Sequence, residues 1–300
     1  MSQNEIKMYR ELLDLLEKRY DNGEIDKSSY VELKERYNSK LEKIREDIEL
    51  LKEAPEMRVS GSKTISSDAV TIAGSATIAG GKVMRDIRIS GSGKINGDVE
   101  CKSLKCSGSV KSFGNIVARG DIRCSGAFKC DKNIEGDGNA TFSGSSKIYG
   151  ELVIKGKLSA SGSYRTDKNT QADKGISLSG ASGIYGNLLS QNTIKIAGKA
   201  TIEKNILCEN LIVEGRRTVF ESWFFRKRKK LVRVIGSIVA QNEIDVQDIA
   251  VEKNIKGRVV KLGPNTSVNG KVYYVEDLLL SEGVSLEKEP VKIGEEDLKL

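Results

Sequence analysis

Apolar residues return at fixed distances through the middle of the chain. Counted from the glycines Gly74, Gly91, Gly108, Gly126, Gly144, Gly162, Gly180, Gly198 and Gly215, the position four residues before holds Val70, Ile87, Leu104, Ile122, Ala140, Leu158, Ile176, Ile194 and Leu211. The position two before holds Ile72, Ile89, Cys106, Cys124, Phe142, Ala160, Leu178, Ile196 and Val213. The residues between are mostly polar, which is the alternation of a strand with one buried face. The glycines are 17 or 18 residues apart. A period this short, held for about 140 residues, predicts a solenoid of stacked turns.

Two more series follow the glycines. Four residues after stand Ile78, Ile95, Ser112, Cys130, Ile148, Thr166, Ile184 and Ile202, and eight after stand Val99, Ile116, Ile134, Leu152, Thr170, Leu188 and Ile206. Three inward ladders per turn predict a triangular parallel β-helix over residues 55–286. Intermediate glycines such as Gly114, Gly120, Gly150, Gly156 and Gly186 fall at corners, where a positive φ would cost glycine nothing. Ile148-Tyr149-Gly150-Glu151-Leu152 recurs as Ile184-Tyr185-Gly186-Asn187-Leu188, 36 residues or two turns later. After Gly162 two inward positions are polar, Thr166 and Thr170, so the segment from Tyr164 to Lys174 is expected to loop outward as a solvated bulge. About twelve turns at roughly 4.8 Å each make a rod near 60 Å long.

The first 54 residues follow a different period. Ile6, Tyr9, Leu12, Leu13, Leu16 and Tyr20 recur at helical spacing, Asp21-Asn22-Gly23 breaks the pattern, and Asp26 is placed to cap a second helix. That helix carries Tyr30, Leu33, Tyr37, Leu41, Ile44, Ile48 and Leu51, a near-heptad stripe with one stutter. Leu33, Tyr37, Leu41, Ile44, Ile48 and Leu51 could pair with a helix of another chain, or the first helix could already cover them. The hairpin resembles the SHOCT type of short oligomerising domain, with Gly23 and Ile25 at the turn. Pro55 marks the passage to the repeats.

Charge singles out one segment. Residues 1–54 carry −3 and residues 276–300 carry −5 against +7 for the whole chain, which leaves +15 for the array. Segment 216–233 holds eight basic groups, one acidic group, the only tryptophan and three of the six phenylalanines. It interrupts the ladder directly after Gly215. Phe220, Trp223, Phe224 and Phe225 beside Arg226, Lys227, Arg228, Lys229 and Lys230 suit an anionic membrane surface, where rings enter the headgroup boundary and cations attract lipid. The other readings are rings folded onto the solenoid, then a protein partner or nucleic acid; among partners nucleic acid ranks low.

Composition argues against catalysis. There is no histidine, which removes the usual general base, histidine-paired nucleophiles and histidine-ligated metals. Turns of 17 or 18 residues leave little loop for a cleft, and no phosphate-binding loop is present. No metal, cofactor or small-molecule substrate is expected. The five cysteines, three of them at strand positions (Cys106, Cys124, Cys130), read as small core residues of a reducing compartment. With a charged N-terminus and no long apolar run, a cytoplasmic chain at most peripheral to a membrane is expected.

The short turns, strands such as Ile87-Arg88-Ile89-Ser90-Gly91 and Ile194-Lys195-Ile196-Ala197-Gly198, and the lack of histidine make the chain resemble the bactofilins over residues 57–285. The resemblance implies a right-handed triangular β-helix that assembles end to end without nucleotide and often associates with membranes. The chain departs from a typical member in its repeat length, its helical hairpin and its insertion. Polymerisation also follows from the architecture, since each end of a solenoid leaves strand edges and core uncovered. Val272, Val275, Leu278, Leu279, Leu280 and Val284 mark the C-terminal end as the candidate junction unless the charged tail from Glu287 folds over it. A monomeric or dimeric binding module using the insertion is the alternative.

Overall fold

Two periodicities in the sequence give two units in the structure. The computed structural model describes residues 2–52, 57–66, 69–215 and 230–298. One unit holds the N-terminal helices, the other the strand at 57–65 and everything from 69 onward. Helices α1 (Ser2–Asp21) and α2 (Lys27–Lys52) are joined at Gly23, whose φ of +71° suits glycine. The Glu24 amide returns to the Arg19 carbonyl and closes the last turn of α1. Asp26 caps α2 by accepting from the Ser29 hydroxyl at 2.6 Å and the Ser29 amide at 3.0 Å, and these bonds hold its carboxyl below the ordinary value. Leu16 and Leu41 are buried, and Tyr20 stacks on Tyr30 at 4.3 Å.

The second unit is a parallel β-solenoid of about 12 turns with three strands per turn. Through the middle of the solenoid each strand pairs in register with the strand three later: Ile116, Ile134 and Leu152 align on one face, Ile122, Ala140 and Leu158 on the next. Every turn has six inward positions, two per face. In one turn these are Leu152, Ile154, Leu158, Ala160, Tyr164 and Thr166, all buried. Two of the six ladders escape the apolar pattern because small or polar residues interrupt them. One runs Val110, Phe128, Ser146, Tyr164, Ser182, Ala200, and the other includes Ala118, Gly136, Ala172 and Ser190.

Volume is balanced within each turn. Phe142 shares its turn with Ala140 and Ser146, Tyr164 faces a turn with Ala160, and Phe128 lies with Cys124 and Cys130. The three rings stack through the core with centroids 5.9 and 5.8 Å apart. A narrow interior at crystal-like density accepts a ring only where neighbours are small.

The segment after Gly162 is a correction to the sequence reading. It does not bulge: Ser163–Thr166 and Thr170–Ala172 are ordinary strands of the ladder, and Thr166 and Thr170 are fully buried. Their hydroxyls bond to each other at 2.7 Å, and Thr170 Oγ1 lies 3.3 Å from the Tyr164 hydroxyl. Two inward threonines are what a buried phenol needs, and burial drives the Tyr164 pKa upward.

The corner glycines are also explained differently. Of the nine that set the period, only Gly74 has a positive φ. Those from Gly91 to Gly198 are required by close stacking: a Cβ on Gly108, Gly126 or Gly180 would sit 1.9 Å from the carbonyl oxygen of the glycine one turn earlier; at Gly215 it would first meet the side chains of Gln247 and Asp248. A second corner is bound by side chains. The Asn115 carboxamide oxygen accepts from the Asn133 amide, Asn133 from Glu151, Asn169 from Asn187, Asn187 from Asn205 and Asn205 from Ser237, at 2.9 to 3.2 Å. Those bonds satisfy backbone donors at corners that lack a sheet partner.

The first strand breaks the parallel rule. Met57–Ile65 runs antiparallel to Ala69–Ile78 through nine residue pairs, bending where Gly61 (φ +123°) faces Gly74 (φ +114°). Parallel and antiparallel strands share the same alternation, so direction was not legible.

Candidate functional site

Of the residues expected to meet a membrane or partner, Phe220, Trp223, Phe224, Phe225, Arg226, Lys227, Arg228 and Lys229 lie outside the described residues. Lys230 lies within them, and partial burial lowers its pKa. The ladder continues across the gap without slippage: Ala200 pairs with Val232, Ile206 with Ile238 and Leu211 with Ile244. The register of the ladder is therefore the same before Val213 and after Val232.

At the C-terminal end the last long strand, Val272–Leu280, stacks on Ile255–Leu262. Leu278 and Leu280 pair with the buried Val260 and Leu262, so they occupy inward positions; among the described residues no further strand stacks on them, and Leu280 is 49 % exposed. Val284 and Leu286 pack against the core and remain partly exposed. Val275 is half-buried, and Leu279 pairs with Lys261 on the outward side. Val272 is a correction: it is fully buried beneath the coil and offers no contact surface. The tail does fold back, but over one side only. Val291-Lys292 pairs with Tyr273-Tyr274, Leu298 is buried, and Arg258 bridges Glu276 at 3.0 Å and also Glu295. Among the described residues nothing pairs with the outer edge of 275–280.

The N-terminal end of the solenoid differs. Lys63 stands opposite Ile72, whose side chain is fully buried, and directly opposed residues of an antiparallel pair share a face. An exposed charge thus occupies an inward position there.

In the hairpin, Tyr37 lies 6.1 Å from Tyr9 and Leu41 is buried, which turns the stripe of α2 toward α1 of the same chain. Leu33 and Ile44 stay half-exposed, and the side chains of Ile48 and Leu51 lie outside the described residues.

One arrangement was missed in the sequence. On the face after the main glycines, Lys94, Lys111, Lys129, Lys147 and Arg165 stack one per turn. Two residues further on, a second row alternates rings with carboxylates: Phe113, Asp131, Tyr149, Asp167, Tyr185. Lys111 lies 3.9 Å from the Phe113 ring centre, Lys147 4.3 Å from that of Tyr149 and Arg165 4.4 Å from that of Tyr185. Asp131 pairs with Lys129 at 3.6 Å and Lys111 at 3.7 Å, and Asp167 with Arg165 at 2.8 Å. The two-turn repeat of Ile148–Leu152 was the trace of this row.

All five cysteines are buried and free. Burial pushes Cys101 and Cys208 up to about 12, so these thiols are poor nucleophiles at neutral pH. Among the described residues no cluster of metal-ligating side chains occurs, and no helix is long and apolar enough to cross a membrane. Compared with known proteins, the chain matches no family model, no curated protein and no solved structure.

Proposed function

We propose that the chain is a non-enzymatic scaffold of the bactofilin type, self-associating through the ends of its β-helix without nucleotide. The observation that carries this reading is the C-terminal end, where Leu278 and Leu280 hold inward positions, Leu280 is exposed and, among the described residues, no strand pairs with the outer edge of 275–280. An uncovered core and an unpaired edge are stabilised by a second copy. Lys63 disfavours the same joint at the other end, so growth beyond pairs draws on a second contact, for which the helical hairpin is the candidate. The insertion supplies the membrane link of the cytoplasmic scaffold.

Negative-stain microscopy and light scattering of the purified chain without nucleotide test the assembly. Filaments or end-to-end pairs that Leu280→Glu disperses are the expected result, and monomeric rods at high concentration overturn the reading. Sedimentation with anionic vesicles tests the membrane link: the wild-type chain should pellet and a Trp223/Phe224/Phe225→Ser variant should not.

A further inference from the structure

The cation row and the ring row run side by side along a rigid face, separated by two residues of strand. Cations recur every turn, about 4.8 Å, and rings every second turn, about 9.6 Å. A ligand that satisfies both rows must be anionic along one line and planar and apolar along a parallel line. We propose that this face binds single-stranded nucleic acid, with phosphates on Lys94, Lys111, Lys129, Lys147 and Arg165 and bases against Phe113, Tyr149 and Tyr185.

Three features support that assignment over other polyanions. An acidic glycan carries its charges and its rings in one backbone, so it would not divide into two rows. A duplex hides its base faces, whereas a splayed strand offers them for stacking beside a basic track. The carboxylates Asp131 and Asp167 lie in the ring row, where beside their ion pairs with Lys111, Lys129 and Arg165 they keep lone pairs that can accept hydrogen bonds from base amino groups. Phe113 and Tyr185 are 38 % and 43 % exposed, so ring surface remains after the lysine and arginine contacts. Beyond Arg165 the cation row is interrupted for two turns, at Gly183 and Thr201, leaving a notch of about 330 Å³ lined by Ser163, Tyr185, Lys199 and Glu203. It is open to one base against Tyr185. The rows run along a side face of the solenoid and use none of the residues of the C-terminal joint, so the proposal stands or falls independently of the scaffold reading.

Fluorescence anisotropy of the full chain with labelled oligothymidine and oligouridine tests it. Binding at low salt should weaken with a log–log slope near −3.5, from five phosphate contacts at about −0.7 each. A Lys111/Lys129/Lys147→Gln variant should flatten that slope by about 2. A Phe113/Tyr149/Tyr185→Ala variant should lose on the order of tenfold in affinity per ring at unchanged slope. The altered side chains are outward-facing, so circular dichroism and the thermal midpoint should match the wild type in both variants. No binding at low salt would overturn the proposal. So would binding of duplex DNA or of an acidic glycan as tight as that of the single strand, or equal binding by the wild type and both variants.

Discussion

Tyr164 shows how a polar group is kept inside the core of a turn. Thr170 Oγ1 is the hub, bonded to Thr166 Oγ1 and close to the phenol. Thr170→Val would orphan two buried hydroxyls and should cost about 2 kcal/mol or more in urea unfolding. Adding Tyr164→Phe and Thr166→Val to it should restore most of that loss, because an apolar set of similar shape leaves nothing unsatisfied; no recovery would mean that the bonds contribute little. The thiols give a second test at this scale. Folding raises Cys101 and Cys208 to about 12 and Cys130 to about 11 from an ordinary 9.0. The unfolded chain therefore ionises first: the contribution of the neutral thiols is complete below pH 9 and is lost as pH rises through 11 to 12. Alkaline unfolding followed by circular dichroism should show stability declining above pH 9, and iodoacetamide should label the cysteines of the native chain far more slowly than those of the unfolded chain at pH 8.

The turn is the element, and its corners decide which residues it accepts. At the asparagine corner the preceding position alternates between glycine and lysine on successive turns: Lys132, Gly150, Lys168, Gly186, Lys204, Gly236. On the glycine turns a Cβ would come within 2.5 Å of the backbone of the turn before, as Gly150 and Gly186 show. Gly150→Ala should destabilise by about 2 kcal/mol or more through forced separation of two turns. Lys168→Ala, on the alternate turn, should stay within about 0.5 kcal/mol. Equal effects in thermal unfolding would contradict the steric account. The sequence made the turn length, the strand faces and the hairpin legible because Val70, Ile72 and their successors repeat without exception. It hid the two ladders through Ser146 and Gly136, since inward polarity is indistinguishable from exposure when a small residue faces a ring across the core. The cation and ring rows were hidden for the opposite reason: they face outward, where no apolar pattern marks them, and only the 36-residue echo betrayed the two-turn period.

At the scale of the whole molecule, the two ends of the solenoid are unlike. The C-terminal end offers Leu278 and Leu280 on a parallel edge that is unpaired among the described residues, while the N-terminal end presents an antiparallel strand with Lys63 at an inward position. Inward-pointing charge on an edge is a common device against sheet-to-sheet growth, because pairing would bury an ammonium group without a partner. It follows that the two ends should respond oppositely to mutation. Leu280→Glu would place a carboxylate where the joint must close and should reduce the assembled fraction measured by sedimentation velocity. Lys63→Leu removes the obstacle and extends the apolar column through Ile72, so assemblies should become longer and persist at lower protein concentration. The double variant should associate through its N-terminal end alone and form pairs at most. If Lys63→Leu leaves the size distribution unchanged while Leu280→Glu disperses it, the charge is not the barrier, and the N-terminal end is closed by other means.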